Sequence, residues 1–365
     1  MDNLGNYSFR YSYHYYFFVS KYLAEHIDAN KETIAKVIDN LHKDENAYIA
    51  IFMSHHSKNS FVLDKVTENA KGLFEGYPST KLNKEELGFF DEQAGMIIQA
   101  VLPPKNAAPA KERSERLKIQ DKIEDAGITT TRGDEDYDDI EMKLRRSIKT
   151  VEVMGNIIKN RAGSLEKKIL ESTFEEGVEV YLQILASLFS LIKDERANKA
   201  IIDFISYRSD KISKDRERIS REQLKKISER IFWNLNFLIT YGLIDKIIHS
   251  LGSNKLSRII DKVCDEKGTP VYFLIKHGIS MWYNKNLQVD DIKERIEKDD
   301  FSEITRRMIR FMIVNHASMH VLNFEEMQRI ESKFGISSRR LLTSQRKVTD
   351  KSKEESKERS KKKSR

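Results

Sequence analysis

The chain has 365 residues, with 64 Lys and Arg, 57 Asp and Glu, 5 prolines, 15 glycines and one cysteine. Few prolines and glycines beside many Glu, Lys, Ile and Leu exclude a collagen-like chain and argue against a sandwich or barrel, so an all-α fold is expected. The single thiol, Cys264, excludes an intramolecular disulfide and a multi-cysteine zinc site, which favours a reducing compartment and a cytoplasmic location.

The net charge of +7 is concentrated at the C-terminus. Residues 346–365 contain ten Lys or Arg and four Asp or Glu, a net +6, which leaves +1 for the first 345 residues. A dedicated duplex binder needs a basic surface, because neutralisation of phosphates dominates its affinity. The body of the chain is therefore not predicted to bind nucleic acid.

Residues 1–102 are predicted to form an N-terminal helical subdomain. Apolar residues three and four apart predict two helices, separated at Asp28–Asn30. The run Ala47–Met53 is apolar on every side, and its length fits a strand or a buried helix; its helical neighbours favour a helix. Further helices are predicted over Phe61–Leu73 and Glu85–Leu102.

Residues 103–139 are predicted to be a linker that begins with three prolines. A charged helical stretch at Lys111–Glu124 is followed by Gly127–Asp139, which has five acidic residues and little apolar content. An acidic cluster of this kind can bind a metal or a basic partner. A solvated loop is the commoner reason for such a composition and is preferred here.

Residues 140–342 are predicted to be an irregular α-helical array of solenoid-like helical hairpins, followed by a disordered Lys/Arg/Ser-rich tail over 343–365. Gly163-Ser164, Gly252-Ser253 and Gly268-Thr269-Pro270 are the expected breaks, because Gly ends a helix and Ser, Thr or Pro begins the next. No fixed-period repeat is present in the sequence.

Motifs of catalysis and cofactor binding are absent from the sequence. There is no GxxxxGK[ST], GxGxxG, HExxH, GxSxG or CxxC, so a non-catalytic chain without a cofactor is expected. His316 and His320 would share a helix face but have no third ligand, so they are predicted to be packed histidines and no metal site is expected. No apolar run reaches the roughly 20 residues that span a bilayer, so no membrane association is expected.

Two groups of residues are candidates for binding a partner. The aromatic N-terminus could stack bases, but it has a single Arg and no basic surround, so burial or docking against protein is preferred. The basic tail either solubilises the chain or binds nucleic acid or an acidic partner. The docking candidates are Phe9, Arg10, Tyr11, Tyr15, Phe17 and Phe18; the tail candidates are Lys357, Arg359, Lys361, Lys362, Lys363 and Arg365.

Five strings resemble the C-terminal helical region of large bacterial STAND (NACHT-like) P-loop NTPases. They are FRYSYHYYFFVSKYLAEHI at Phe9–Ile27, NAYIAIFMSHHSKNSFVLD at Asn46–Asp64, VEVMGNIIKNRAGSLEKKI at Val151–Ile169, GTPVYFLIKHGISMWY at Gly268–Tyr283, and RRMIRFMIVNHASMHVLNFEEMQRIESKFGI at Arg306–Ile336. The resemblance extends from about Phe9 to Ile336, most of the chain. The matching residues are typical of packed helices, and none of them forms a catalytic motif.

The resemblance implies a function for the chain. In such NTPases an effector and a nucleotide-binding switch precede the helical region, which acts as sensor or autoinhibitory arm, and the family is associated with antiviral defence. No NTPase motif lies in this sequence, so a separately encoded NTPase or effector chain is the implied partner, with a truncated product or a relic as alternatives. The other reading is a helical protein that binds nucleic acid through its tail alone.

Overall fold

The computed structural model describes residues 9, 11–100, 114, 115, 118, 139–212 and 220–336. The structure is 76% helical, and no strand occurs in the part that it describes. One isolated antiparallel bridge joins Asn83 to Phe301. The all-α prediction is confirmed, and the predicted disorder of residues 343–365 falls outside the described residues.

The first five helices precede the linker. Their bounds are α1 Ser12–Glu25, α2 Lys31–Asp39, α3 Asp44–His56, α4 Phe61–Lys71 and the short α5 Gly88–Asp91, which a 3₁₀ turn follows at Ala94–Met96. The apolar run at 47–53 is thus helical, as predicted, and α1 packs mainly against α3.

The nine further helices of the described residues form the array. Their bounds are α6 Asp139–Asn160, α7 Lys167–Lys193, α8 Glu195–Ile212, α9 Arg221–Leu251, α10 Ser257–Lys267, α11 Pro270–Tyr283, α12 Val289–Ile296, α13 Glu303–Met319 and α14 Phe324–Phe334. Consecutive helices pair as α6–α7, α8–α9 and α10–α11, which gives the helical hairpins expected. Helix lengths between 8 and 31 residues make the array irregular.

The predicted breaks between helices lie where helices end. Gly268 has φ 63° and closes α10 in the left-handed conformation that favours glycine, and Pro270 is the first residue of α11. Gly163 and Gly252 also lie between helices. These local signals place the ends of α6, α9 and α10.

The single helix predicted over Glu85–Leu102 is wrong for the described residues up to 100. Only α5 and one 3₁₀ turn form there, and Ile97 is extended, with φ −84° and ψ 141°. The Asn234 side chain of α9 accepts from Ile98 N at 2.8 Å and donates to Met96 O at 2.8 Å. These two bonds satisfy backbone groups that a helix would pair internally.

Contacts also join the two sides of the linker. Helices α3 and α4 pack against α6, and α4 packs against α7. A buried core continues through these helices into α9, α11 and α13. The division of the chain at residues 102 and 140 stays a prediction.

Candidate protein-docking surface

Helix α1 has one narrow buried stripe. Tyr16, Ser20 and Leu23, spaced four and three apart, are its buried residues. Tyr16 stacks on Tyr48 of α3, with ring centroids 5.7 Å apart and planes 5° from parallel. Because full burial is confined to this stripe, the other aromatic residues of the helix leave much of each ring exposed.

The outward aromatic side chains form what we name the α1 aromatic surface. Their exposed fractions lie between 37% and 58%, and large apolar patches of this kind are typical of binding surfaces. Its members are Phe9, Tyr11, Tyr13, Tyr15, Phe17, Phe18 and Tyr22.

One side of the α1 aromatic surface is supported by α3. Tyr13 meets Phe52 edge to face at 4.9 Å, and Phe17 meets the His56 ring at 4.8 Å with planes 76° apart. Such edge-to-face contacts hold rings in place while leaving part of each ring exposed. Burial lowers the pKa of His56, with the charge of Lys21 adding to the effect, so the ring is mainly neutral at pH 7.

The other side of the surface borders a groove between α1, α2 and α3. Its volume is about 520 Å³, within the range of small-molecule and peptide sites. Phe9 stacks on Phe18 at its edge, with centroids 5.8 Å apart. The groove is lined by Phe9, Tyr15, Phe18, Val19, Tyr22, Leu23, Thr33, Val37, Glu45, Asn46 and Ile49.

The structure thus brings together five of the six docking candidates. Phe9, Tyr11, Tyr15, Phe17 and Phe18 lie on or beside α1 and are exposed. Arg10 lies outside the described residues, as do the tail candidates Lys357, Arg359, Lys361, Lys362, Lys363 and Arg365. The candidates omitted Tyr13 and Tyr22, whose spacing of four from Phe17 and Phe18 was a usable signal.

A network of partly buried charges lies next to the surface and links α3 to α6 and α9. Asp44 accepts from Arg145 at 2.8 Å and lies 3.1 Å from Lys149, which in turn lies 3.2 Å from Glu152. Glu152 also pairs with Lys246 of α9. Burial opposes ionisation of Glu152, but Lys149 and Lys246 outweigh it and hold the pKa of the carboxyl below its usual value.

The two histidines of the VNHASMH string are buried, with ring centroids 4.4 Å apart. The His316 Nδ1 lies 2.9 Å from Met281 O and its Nε2 lies 3.1 Å from Lys285 O. Burial lowers the pKa of His316, against the raising effect of these two carbonyls. Within the described ranges, no group of three or more His, Cys, Asp or Glu could hold a metal ion.

A second apolar surface lies on α9, where Ile227, Ile231, Leu235, Leu238 and Ile239 are exposed. In the described part of the chain, α9 is the one helix long and apolar enough to cross a membrane by length and composition. Of its apolar window, 44% is buried within the protein, and core helices of soluble proteins pass the same test. This helix is therefore weak support for a membrane span.

Comparison of the chain with protein families, curated proteins and solved structures gives no match. The resemblance to the STAND helical region therefore stays a prediction from the strings quoted above.

Proposed function

We propose that the chain is a non-catalytic helical interaction module that binds a protein partner on the α1 aromatic surface. The observation that carries this proposal is the exposure of seven aromatic side chains on and beside one helix, next to a groove of about 520 Å³. Aromatic residues are enriched at the centres of protein interfaces, because they bury a large area with little loss of side-chain freedom.

The resemblance to STAND NTPases extends this proposal to a biological role. The chain would be the sensor or regulatory arm of a bacterial antiviral switch, and its partner would be an NTPase or effector chain encoded separately. A helical array supports such a role, since helix pairs move as rigid units when a large partner binds.

Docking of protein is favoured over docking of nucleic acid at this surface. Glu45 lines the groove and would repel phosphate, and Lys21 is the one Lys or Arg in α1. Nucleic acid is a poor occupant for such a site, because its affinity depends on neutralised phosphates. Binding through the basic tail is the alternative, and it predicts an affinity that deletion of residues 346–365 abolishes.

The experiment is native mass spectrometry of the chain captured from its own cells, with two double variants. Tyr15→Ser with Phe18→Ser removes two exposed rings of the α1 aromatic surface. Phe204→Ser with Tyr207→Ser removes two exposed rings of α8 and is the matched control. We expect a co-purifying Walker-motif chain with the wild type and the control, and its loss with the α1 variant.

Two results would contradict the proposal. A partner retained equally by both double variants would place the interface elsewhere. A chain that yields only monomer or homo-oligomer in every case would favour an independent module or a relic. Thermal unfolding of each variant separates loss of binding from loss of fold.

A further inference from the structure

The groove between α1, α2 and α3 contains one charged residue among its lining side chains. That residue is Glu45, in the first turn of α3; the others are aromatic, aliphatic or uncharged polar. Its neighbour Asp44 is ion-paired with Arg145 and Lys149, whereas Glu45 forms no ion pair within the residues described. The groove is thus an apolar site with one exposed carboxylate, and none of the described Lys or Arg side chains forms an ion pair with it.

This arrangement limits what can fill the groove. An occupant that excludes water from Glu45 without supplying a positive charge leaves the carboxylate desolvated and unpaired. The desolvation free energy then weakens binding. An occupant without apolar side chains leaves the exposed rings of Phe18 and Tyr22 uncovered. The chemistry that satisfies both conditions combines apolar side chains with one Lys or Arg.

The shape of the site favours a helix as the occupant. Its walls are helices, and α1 has 14 residues, which corresponds to a length of about 21 Å or nearly four turns. No strand edge is available in the described part of the chain, so a peptide cannot add to a sheet. A second copy docked through the same face would bring another Glu45 to the site, and an anionic lipid surface would be repelled by it.

We propose that this groove binds an amphipathic helix of the protein partner, which places apolar side chains on Phe18, Tyr22 and Val37 and a Lys or Arg on Glu45. The inference rests on the proposed function and adds the chemistry of the bound segment. Glu45 is then the residue that selects a basic helix over an acidic one, because charge complementarity sets specificity more than affinity.

The test uses three synthetic 14-residue helical peptides as probes. They share Leu at i, i+3, i+4 and i+7 and differ in one flanking residue, which is Lys, Gln or Glu. Fluorescence anisotropy with the full chain is expected to rank their affinities Lys, Gln, Glu, with a difference of about fivefold or more between Lys and Glu. The difference should shrink at higher salt.

Variants of Glu45 decide whether this residue is responsible. Glu45→Gln should bring the three affinities to within about twofold of one another, and Glu45→Lys should reverse the order. Glu32→Gln, an exposed carboxylate of α2 outside the groove lining, is the control and should leave the order unchanged. Thr33→Trp fills the groove from an exposed position and should weaken all three peptides.

Several results would overturn the proposal. Equal affinities of the three peptides for the wild type, or tighter binding of all three to Glu45→Gln, would show that the carboxylate does not select a cation. Binding insensitive to Thr33→Trp would place the peptides elsewhere. Binding that tightens several-fold on deletion of residues 346–365 would make the chain's own basic tail the occupant. If partner capture still depends on Tyr15 and Phe18, the proposed function stands while this inference falls.

Discussion

Gly155 of α6 lies directly against the backbone of α9, so that a Cβ built on it would lie 1.9 Å from the carbonyl oxygen of Ser250. One turn further along α6, Lys159 Nζ donates to His249 O at 2.7 Å. Burial lowers the pKa of Lys159 to about 8, and the charge of Lys246 adds to the effect. The two contacts hold the C-terminal end of α9 against α6.

Gly155→Ala should destabilise the protein strongly, because the clash is with backbone and cannot be relieved by a change of side-chain conformation. A cost of about 3 kcal/mol in the free energy of unfolding is expected for overpacking at such a site. Gly242→Ala is the control, since nothing lies within 4 Å of its Cβ in α9. It should stabilise by about 0.5–1 kcal/mol, as expected in an exposed helix interior. Urea unfolding measures the free energy of unfolding of both variants. Equal effects would contradict the close approach of α6 to α9 at Gly155.

Asp91→Ala should weaken the start of α13. The Asp91 carboxylate accepts from the backbone N of Glu303 at 3.1 Å and of Ile304 at 2.9 Å, and so caps a helix more than 200 residues away. Its loss should cost about 1–2 kcal/mol in the free energy of unfolding, the usual range for such caps. Glu92→Ala, at an exposed neighbouring position, should change stability by less than about 0.5 kcal/mol. A similar cost for both variants would contradict the capping role.

Glu152→Gln should destabilise the protein at neutral pH. The substitution leaves Lys246 without its carboxylate partner and removes one of the two carboxylates beside Lys149. Loss of a partner in a buried pair costs roughly 3–5 kcal/mol, and partial exposure of this network lowers the expectation to about 2 kcal/mol. Glu222→Gln, which breaks an exposed pair with Lys226, should cost under about 0.5 kcal/mol. Chemical unfolding at pH 7 compares the two.

Stability should fall as the pH is lowered from 7 to 5, in part through His277. Burial lowers the pKa of this histidine to about 4, with the charge of Lys276 adding to the effect. The unfolded chain, with an ordinary pKa of about 6.5, therefore binds the proton first, so acid favours unfolding and stability is regained above that value. The contribution is about 2 kcal/mol between pH 5 and pH 7.

His277→Leu should flatten this part of the pH profile. His56 and His316 contribute part of the remaining dependence of stability on pH, because burial also lowers their pKa values. Thermal unfolding between pH 5 and pH 7 makes the comparison. An unchanged slope in His277→Leu would contradict the prediction.

The sequence predicted the parts of this fold that depend on local signals. The helix at Ala47–Met53 and the break at Gly268–Pro270 follow from neighbouring residues alone. The region after Glu85 was predicted wrongly, because Asn234, more than 100 residues later, takes the backbone bonds of Met96 and Ile98. No local pattern contains that information.

The distinction between local signals and contacts across the chain also applies to the candidate site. Its aromatic residues were found because they form one continuous run, and their spacing placed them on a helix. Glu45 and Val37 could not be found in this way, because they reach the groove only when α2 and α3 pack beside α1. Which rings of the run are buried also depended on this packing, since Tyr16 is buried against α3 while the rings of the α1 aromatic surface stay at least 37% exposed.

Substitutions at Tyr16 and Phe18 should separate the packing role of α1 from its binding role. Tyr16 is 7% exposed and stacks on Tyr48, so Tyr16→Ser should cost about 3 kcal/mol in the free energy of unfolding. Phe18 is 54% exposed, and Phe18→Ser should cost less than about 1 kcal/mol because little apolar area is lost from the core. Phe17 touches Phe52 and His56 and should be intermediate. If Phe18→Ser cost as much as Tyr16→Ser, this ring would belong to the core, and the α1 aromatic surface would not be free to bind a partner.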